Sequence, residues 1–216
     1  MTLHPAIFPP SSTPWGKAYS KWARDWIIWA LSVRKTINPI IDETGQCCCV
    51  HQRPPVWFLA GTMGAKVYRK CRIPSGQGIF FPLIEKESSF AEEGDQLRSE
   101  EDLIGRTKQL MDLVVDIHLE LDGISINNLS EMRFNSGVFD LVFPEENIYD
   151  VVPGPTKSVT DGFWVMLKPL QRGKHVVRFS GSALIPEGPA EEIANRYLEY
   201  NNHLFETKVS YELFIE

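Results

Sequence analysis

Glu85 and Glu87 stand two apart at the end of an apolar run, Ile79-Phe80-Phe81-Pro82-Leu83-Ile84, that has the composition of a buried strand marked by its proline as an edge or a bulge. Residues two apart on a strand share a face. Two carboxylates so placed repel one another, which raises one pKa and can keep a general acid protonated near neutrality. Asp42 and His51 lie on segments expected to fold back near that strand end, so Glu85, Glu87, His51 and Asp42 form the best catalytic constellation in the chain. The competing reading takes Glu85, Glu87, Glu92 and Glu93 as a solvated acidic loop, because acidic runs usually form exposed faces. His118 and His175 fall at outward positions of alternating segments, and Ser88 or Ser89 near His51 is too generic a pattern for a hydrolase.

Two further readings need no reaction. Trp57, Trp164 and Tyr149 would serve as aromatic walls at the mouth of a β fold that holds a small molecule or a glycan. Alternatively, exposed strand edges would pair with partners in an assembly.

The cysteines are Cys47, Cys48, Cys49 and Cys71. If residues 47–51 are extended, Cys47, Cys49 and His51 share a face, with Cys71 a possible fourth metal ligand. Zinc sites normally use separated pairs of ligands, and there is no CxxC pair, so no metal and no cofactor is expected. A single disulfide to Cys71 is the preferred use, the remaining thiols acting as small hydrophobes.

The elements that must position these groups are mostly strands. Val56–Glu87 reads as the centre of the core: a short run at 56–60, a reversal at Gly61 and Gly64, clean alternation over 66–73, a Pro74-to-Gly78 turn, then the strand that delivers the two glutamates. Upstream, residues 1–13 read as an extended or disordered arm. Trp15, Tyr19, Trp22, Trp26, Trp29 and Val33 then recur at helical spacing, predicting a helix over about 14–33 with Thr13 as cap and Pro14 at its first position. Such an indole stripe suits a sugar platform, but most often it covers one side of a sheet.

Downstream, Glu85–Asp102 reads as a polar surface loop running into a helix at about 100–113, with Ser99 and Asp102 as a capping box and Leu103, Ile104, Leu110 and Leu113 inward. Strands follow at about 115–121, closed by Asp122-Gly123, and at 134–143. After a loop over 145–160 come strands at 163–167 and 175–179, a short helix near 190–200, and a closing strand with Phe205, Thr207, Val209, Tyr211, Leu213 and Ile215 on one face. This pattern predicts one mainly β domain over 14–216, an antiparallel, jelly-roll-like sandwich with an N-terminal tryptophan-rich helix and one or two inserted helices.

Composition excludes some partners. The 216 residues carry a net charge of −6 with basic residues scattered, so no nucleic-acid surface is expected. No apolar run reaches membrane-span length, and residues 1–15 lack the apolar stretch of a signal peptide, which reads as a soluble, cytoplasmic chain. Nothing in the pattern selects an oligomeric state.

The segments TPWGKAYSKWARDWIIWALS, DETG, PVWFLAGTMG, RKCRIPSGQGIFFPLIEKESSFAE, LDGISI, DGFWVMLKPLQRGKHVVRFSG and VSYELFI resemble, in order, a family of uncharacterised bacterial and archaeal β-sandwich proteins, many of them exported. The resemblance spans nearly the whole chain and implies the fold, with no established activity. It implies a Cys48–Cys71 disulfide, since the family tends to place cysteines at those two positions. This chain departs from the pattern by adding Cys47 and Cys49, and by carrying Glu85 where the family commonly has asparagine two residues before Glu87.

Overall fold

The computed structural model describes residues 4–94, 97, 99–185, 200–201 and 204–216. It is mainly β, built from two sheets with helices on the outside and at one end. One sheet runs β1 (Val56–Phe58), β3 (Gly78–Ser89), β8 (Gly154–Leu167) and β6 (Arg133–Asn135), with β7 (Phe139–Phe143) also paired to β8. The other runs β10 (Tyr200–Asn201), β11 (Leu204–Ile215), β9 (Gly173–Leu184), β4 (Val114–Leu121) and β5 (Ile124–Ser125), with β2 (Lys66–Ile73) on β11. The sheets are mixed and not purely antiparallel: β1 lies parallel to β3, and β2 parallel to β11. They meet where Phe81 stacks on Phe179 at 4.7 Å and Ile84 comes up against Gly181.

The tryptophan helix is shorter than its spacing predicts. Pro14–Gly16 forms a single 3-10 turn in which Trp15 takes φ 50°, and Thr13 makes no side-chain cap. The helix proper, α1, is Tyr19–Leu31. Trp15 is therefore off the helical stripe, while Trp22, Trp26 and Trp29 are buried against the first sheet. Tyr19 stacks on Phe134 at 4.6 Å, and Trp26 meets Trp164 edge-on at 5.5 Å. Rings of this size bury roughly 150–250 Å² each, or about 5 kcal/mol of transfer free energy apiece, which is why α1 seals that face. Residues 4–13, expected as an extended or disordered arm, are ordered beside it through turns at 5–6 and 10–11, with Ile7 buried and bridged to Leu167 and Phe8 N donating to the Met166 carbonyl at 3.0 Å.

Alternation in β2 is as predicted, with Val67, Arg69, Cys71 and Ile73 inward. Arg69 is 1% exposed and has no carboxylate partner among the described residues. Its guanidinium donates to the carbonyls of Asp42, Ala60, Gly61 and Ile40 and to the Tyr211 hydroxyl at 2.6–3.0 Å, so every contact is to a neutral oxygen. Gln52 closes the free edge of β1. It accepts from Phe58 N at 2.8 Å and donates to the carbonyls of Phe58 and Cys48 at 2.8 and 2.9 Å.

Three sequence expectations shift. Strand β8 begins at Gly154, so the expected loop over 145–160 is half strand, because β7 pairs with its first residues. Ile104 is exposed, and Leu103, Thr107, Leu110 and Met111 form the buried side of α3 (Glu100–Met111), whose Ser99–Asp102 capping box is present. The segment after Ile84 is not a surface loop: β3 continues to Ser89, and a short turn of helix, α2 (Phe90–Glu93), follows. The helix expected near 190–200 lies outside the described residues.

Candidate functional site

Strand β3 passes through a bulge between Pro82 and Ile84 and then carries Glu85, Lys86 and Glu87 along β8. Sheet pairing places hydroxyls of β8 against these acids. Thr160 Oγ1 donates to Glu85 Oε2 at 3.0 Å, and Ser158 Oγ donates to Glu87 Oε1 at 2.5 Å. Opposite Glu85 the sheet has Gly162, where a Cβ would stand 2.5 Å from the Glu85 Cβ; the glycine makes room for the acid. Two more carboxyls arrive on α2, because Ser89 caps the helix by accepting from Glu92 N, and both Glu92 and Glu93 turn inward. Lys86 pairs with Glu92 at 2.6 Å, and Arg106 of α3 approaches Glu93 at 3.9 Å.

Four carboxyls against two cations in a buried place cannot all be ionised at ordinary cost. Burial pushes Glu85 up to about 7, with the Thr160 hydrogen bond opposing. Glu87, 1% exposed, is raised well above the usual carboxylate range by burial and then by the charge of Glu92. Glu92 is raised as well, by burial, although Lys86 pulls it down. Burial works against the charge on Lys86, but Glu92 and Glu87 outweigh it and raise its pKa. Glu87 and Glu92 are within hydrogen-bonding reach of each other, and Oε2 of each has no other donor. A single proton between two carboxyl groups is the arrangement that satisfies both oxygens.

Glu85, Glu87 and Glu92 line a cavity of about 70 Å³ at this end of the sandwich, bounded also by Trp26, Thr62 and Phe205. That space suits a few waters or a ligand of a few heavy atoms. The acids can therefore donate or accept a proton toward the cavity, or pair with an organic cationic group there.

The other expected site residues are elsewhere. Asp42 organises its own loop, accepting from Cys47 N at 2.7 Å and Thr44 N at 2.8 Å; those hydrogen bonds outweigh partial burial and lower its pKa. It borders a separate surface cavity with Cys47 and Lys35. His51 takes φ 51° on an exposed turn facing a groove beside α1. Neither joins Glu85 and Glu87: residues 38–55 fold as turns over β2 and α1, and it is Ile40 of this segment that borders the acid-lined cavity. Trp57 and Trp164 are not at a mouth: both are buried, Trp164 stacked on Phe80 at 5.4 Å beneath α1. Tyr149 is half-buried against Phe143 and does reach the acid-lined cavity. Sequence reasoning missed Glu92 and Lys86 as members of the site; the Ser89-to-Glu92 capping spacing was the available signal.

All four cysteines are free. Cys48 and Cys71 lie near one another, and their interaction lowers the Cys48 pKa and raises that of the buried Cys71. Among the described residues no group of three His, Cys, Asp or Glu side chains is arranged to hold a metal, and no helix is long and apolar enough to cross a membrane.

The fold and site together define a mainly β protein of two mixed sheets with a buried carboxyl cluster at one end. No family model and no curated protein matches the chain. Among solved structures, the crystal structure of a cysteine protease inhibitor from Entamoeba histolytica aligns at 11% identity over 68% of this chain and 86% of that one, with a TM-score of 0.22, too low to define a shared fold.

Proposed function

We propose that this chain binds a small ligand bearing a positive charge, such as an organic ammonium or amidinium group, in the cavity between Glu85, Glu87 and Glu92. The observation that supports this is the pair of buried oxygens, Glu87 Oε2 and Glu92 Oε2, that have no nitrogen or hydroxyl donor and belong to residues bordering free space. A proton shared between them meets the need; a cationic ligand would replace that proton and relieve the raised pKa values at the same time. The assembly reading is less favoured, since the β1 edge is closed by Gln52 and the β2 edge carries Lys66, Lys70 and Arg72. The resemblance to the uncharacterised β-sandwich family fits this reading, which needs only a binding fold.

A second reading rests on Glu85. A carboxyl with a pKa of about 7 beside a cavity is suited to proton transfer at neutral pH, so the ligand could be a substrate of acid–base conversion with Glu85 and Glu87 as its proton carriers.

Native mass spectrometry of the purified protein, followed by calorimetric titration with guanidinium and methylammonium in buffers of differing ionisation enthalpy, tests the proposal. The expected result is binding coupled to proton release that is lost in Glu87→Gln/Glu92→Gln. Binding without proton release, or binding unchanged in the double variant, would refute it.

A further inference from the structure

A second cavity, unconnected to the carboxyl cluster, lies along the outer side of α1. It holds about 550 Å³ between Trp15, Trp29 and Phe58 on one side and the cis Pro54–Pro55 peptide on the other, in the size range of small-molecule sites. The indole N–H groups of Trp22 and Trp29 are used elsewhere, donating to the carbonyls of Pro14 at 3.1 Å and Val50 at 2.8 Å. What these rings present to the groove is carbon. Trp15 is 40% exposed, and its ring is pinned over Gly78, where any Cβ would collide with it, and edge-on to Phe8 at 5.5 Å.

Two non-glycine residues that border this groove, Trp15 at φ 50° and His51 at φ 51°, are held in the left-handed region. Asparagine, aspartate and histidine adopt it more readily than other L-residues, so it is the conformation of Trp15 that the surrounding structure must hold.

The charge of the rim is opposite to that of the chain. Lys17, Arg24 and Arg53 stand around the groove against one carboxylate, Asp25, which takes Lys17 at 2.6 Å and Arg24 at 2.8 Å. Lys17 also lies over the Trp22 ring at 4.4 Å. Arg53 has no ion pair among the described residues, so an exposed guanidinium is left beside a flat aromatic wall on a protein of net charge −6.

We infer that this groove is a binding site for a flat organic anion, its ring lying against Trp15 and Phe58 and its carboxylate or phosphate taken by Arg53, since the Nε and Nη2 donors of Arg24 are already engaged by Asp25. Guanidinium offers a planar fork of donors to such groups, and apolar walls hold the ring without competing for the charge. A neutral sugar would use the indole faces and have no need of the cations, so the two ligand classes are separable by experiment.

The test uses the whole protein with 1-naphthoate and 1-naphthyl phosphate as anionic probes, 1-naphthylmethanol as the neutral one and cellobiose as the sugar, followed by tryptophan fluorescence and calorimetry. Either or both anions should bind saturably, about tenfold or more tighter than the alcohol, and more weakly as salt rises. Arg53 is exposed and outside the core, so Arg53→Ala should keep the fold and weaken anion binding by about tenfold, while Arg53→Lys retains part of it. Glu87→Gln/Glu92→Gln should leave this binding unchanged, which separates it from the acid-lined cavity. Equal binding of anion and alcohol, binding indifferent to Arg53→Ala, or a preference for cellobiose would overturn the inference.

Discussion

Replacing Glu85 by glutamine removes one ionisation and little else. The amide keeps an oxygen to accept from Thr160, and Gly162 leaves its neighbour's space unchanged. In the folded protein Glu85 holds its proton up to a pH of about 7, whereas the same group when unfolded releases it near 4.5. Between those values the folded state binds more protons than the unfolded one, so stability falls as pH rises through the window. The span from 4.5 to about 7, at about 1.4 kcal/mol per unit, gives roughly 3–4 kcal/mol, reduced to about 2–3 kcal/mol because Glu85 is only half-buried and borders the cavity. The wild-type protein should therefore match Glu85→Gln near pH 4.5 and fall behind it by about 2–3 kcal/mol at about pH 8. Urea denaturation of both proteins at several pH values measures this directly, and the difference between them cancels the titrating groups to which Glu85 is not coupled. Two stability curves that stay parallel to within about 0.5 kcal/mol across that range would refute the reasoning, since they would mean that the carboxyl ionises as easily inside as outside.

Two other outcomes follow from the same geometry. Arg69→Met should destabilise the protein by about 3 kcal/mol or more, because the carbonyls of Ile40, Asp42 and Gly61 lose the guanidinium donor together and that of Ala60 is left with the Tyr211 hydroxyl; Arg69→Lys should recover only part, having three donors for five contacts, and chemical denaturation reads both. The Cys48–Cys71 bridge is a proposal from the family resemblance and the adjacency of the thiols: mild oxidation should join these two and leave Cys47 and Cys49 free, as peptide mapping would show, and mapping of any other pair would exclude it.

What was legible in the sequence was whatever one face or one turn decides locally. Alternation placed Val67 to Ile73 and Phe205 to Ile215 on their faces, because a strand covered on one side must alternate. Ser99 and Asp102 announced α3 through a motif complete within four residues. Where neighbours distant in sequence decide, local signals mislead. Thr13-Pro14 has the chemistry of a helix start, yet the chain turns left-handed at Trp15, whose ring packs over Gly78, sixty-three residues on. The run from Glu85 to Glu93 has the composition of a wet loop, and it is buried because β8 supplies Ser158 and Thr160 and α3 supplies Arg106. No spacing within the acidic run announces those partners. The aromatic residues failed for the converse reason: Trp164 could stand at a cavity or in a core, and only the position of α1 chooses between them.

The amide of Gln52 has a consequence for the life of the chain before and after folding is complete. A short, apolar border such as Val56-Trp57-Phe58 is the kind of template on which a second molecule can stack and begin a fibril. By filling the hydrogen-bonding positions of Phe58 from a side chain, Gln52 behaves as a one-residue strand that cannot be extended. The protein thus keeps three bulky residues at a sheet border without offering that border to its own copies.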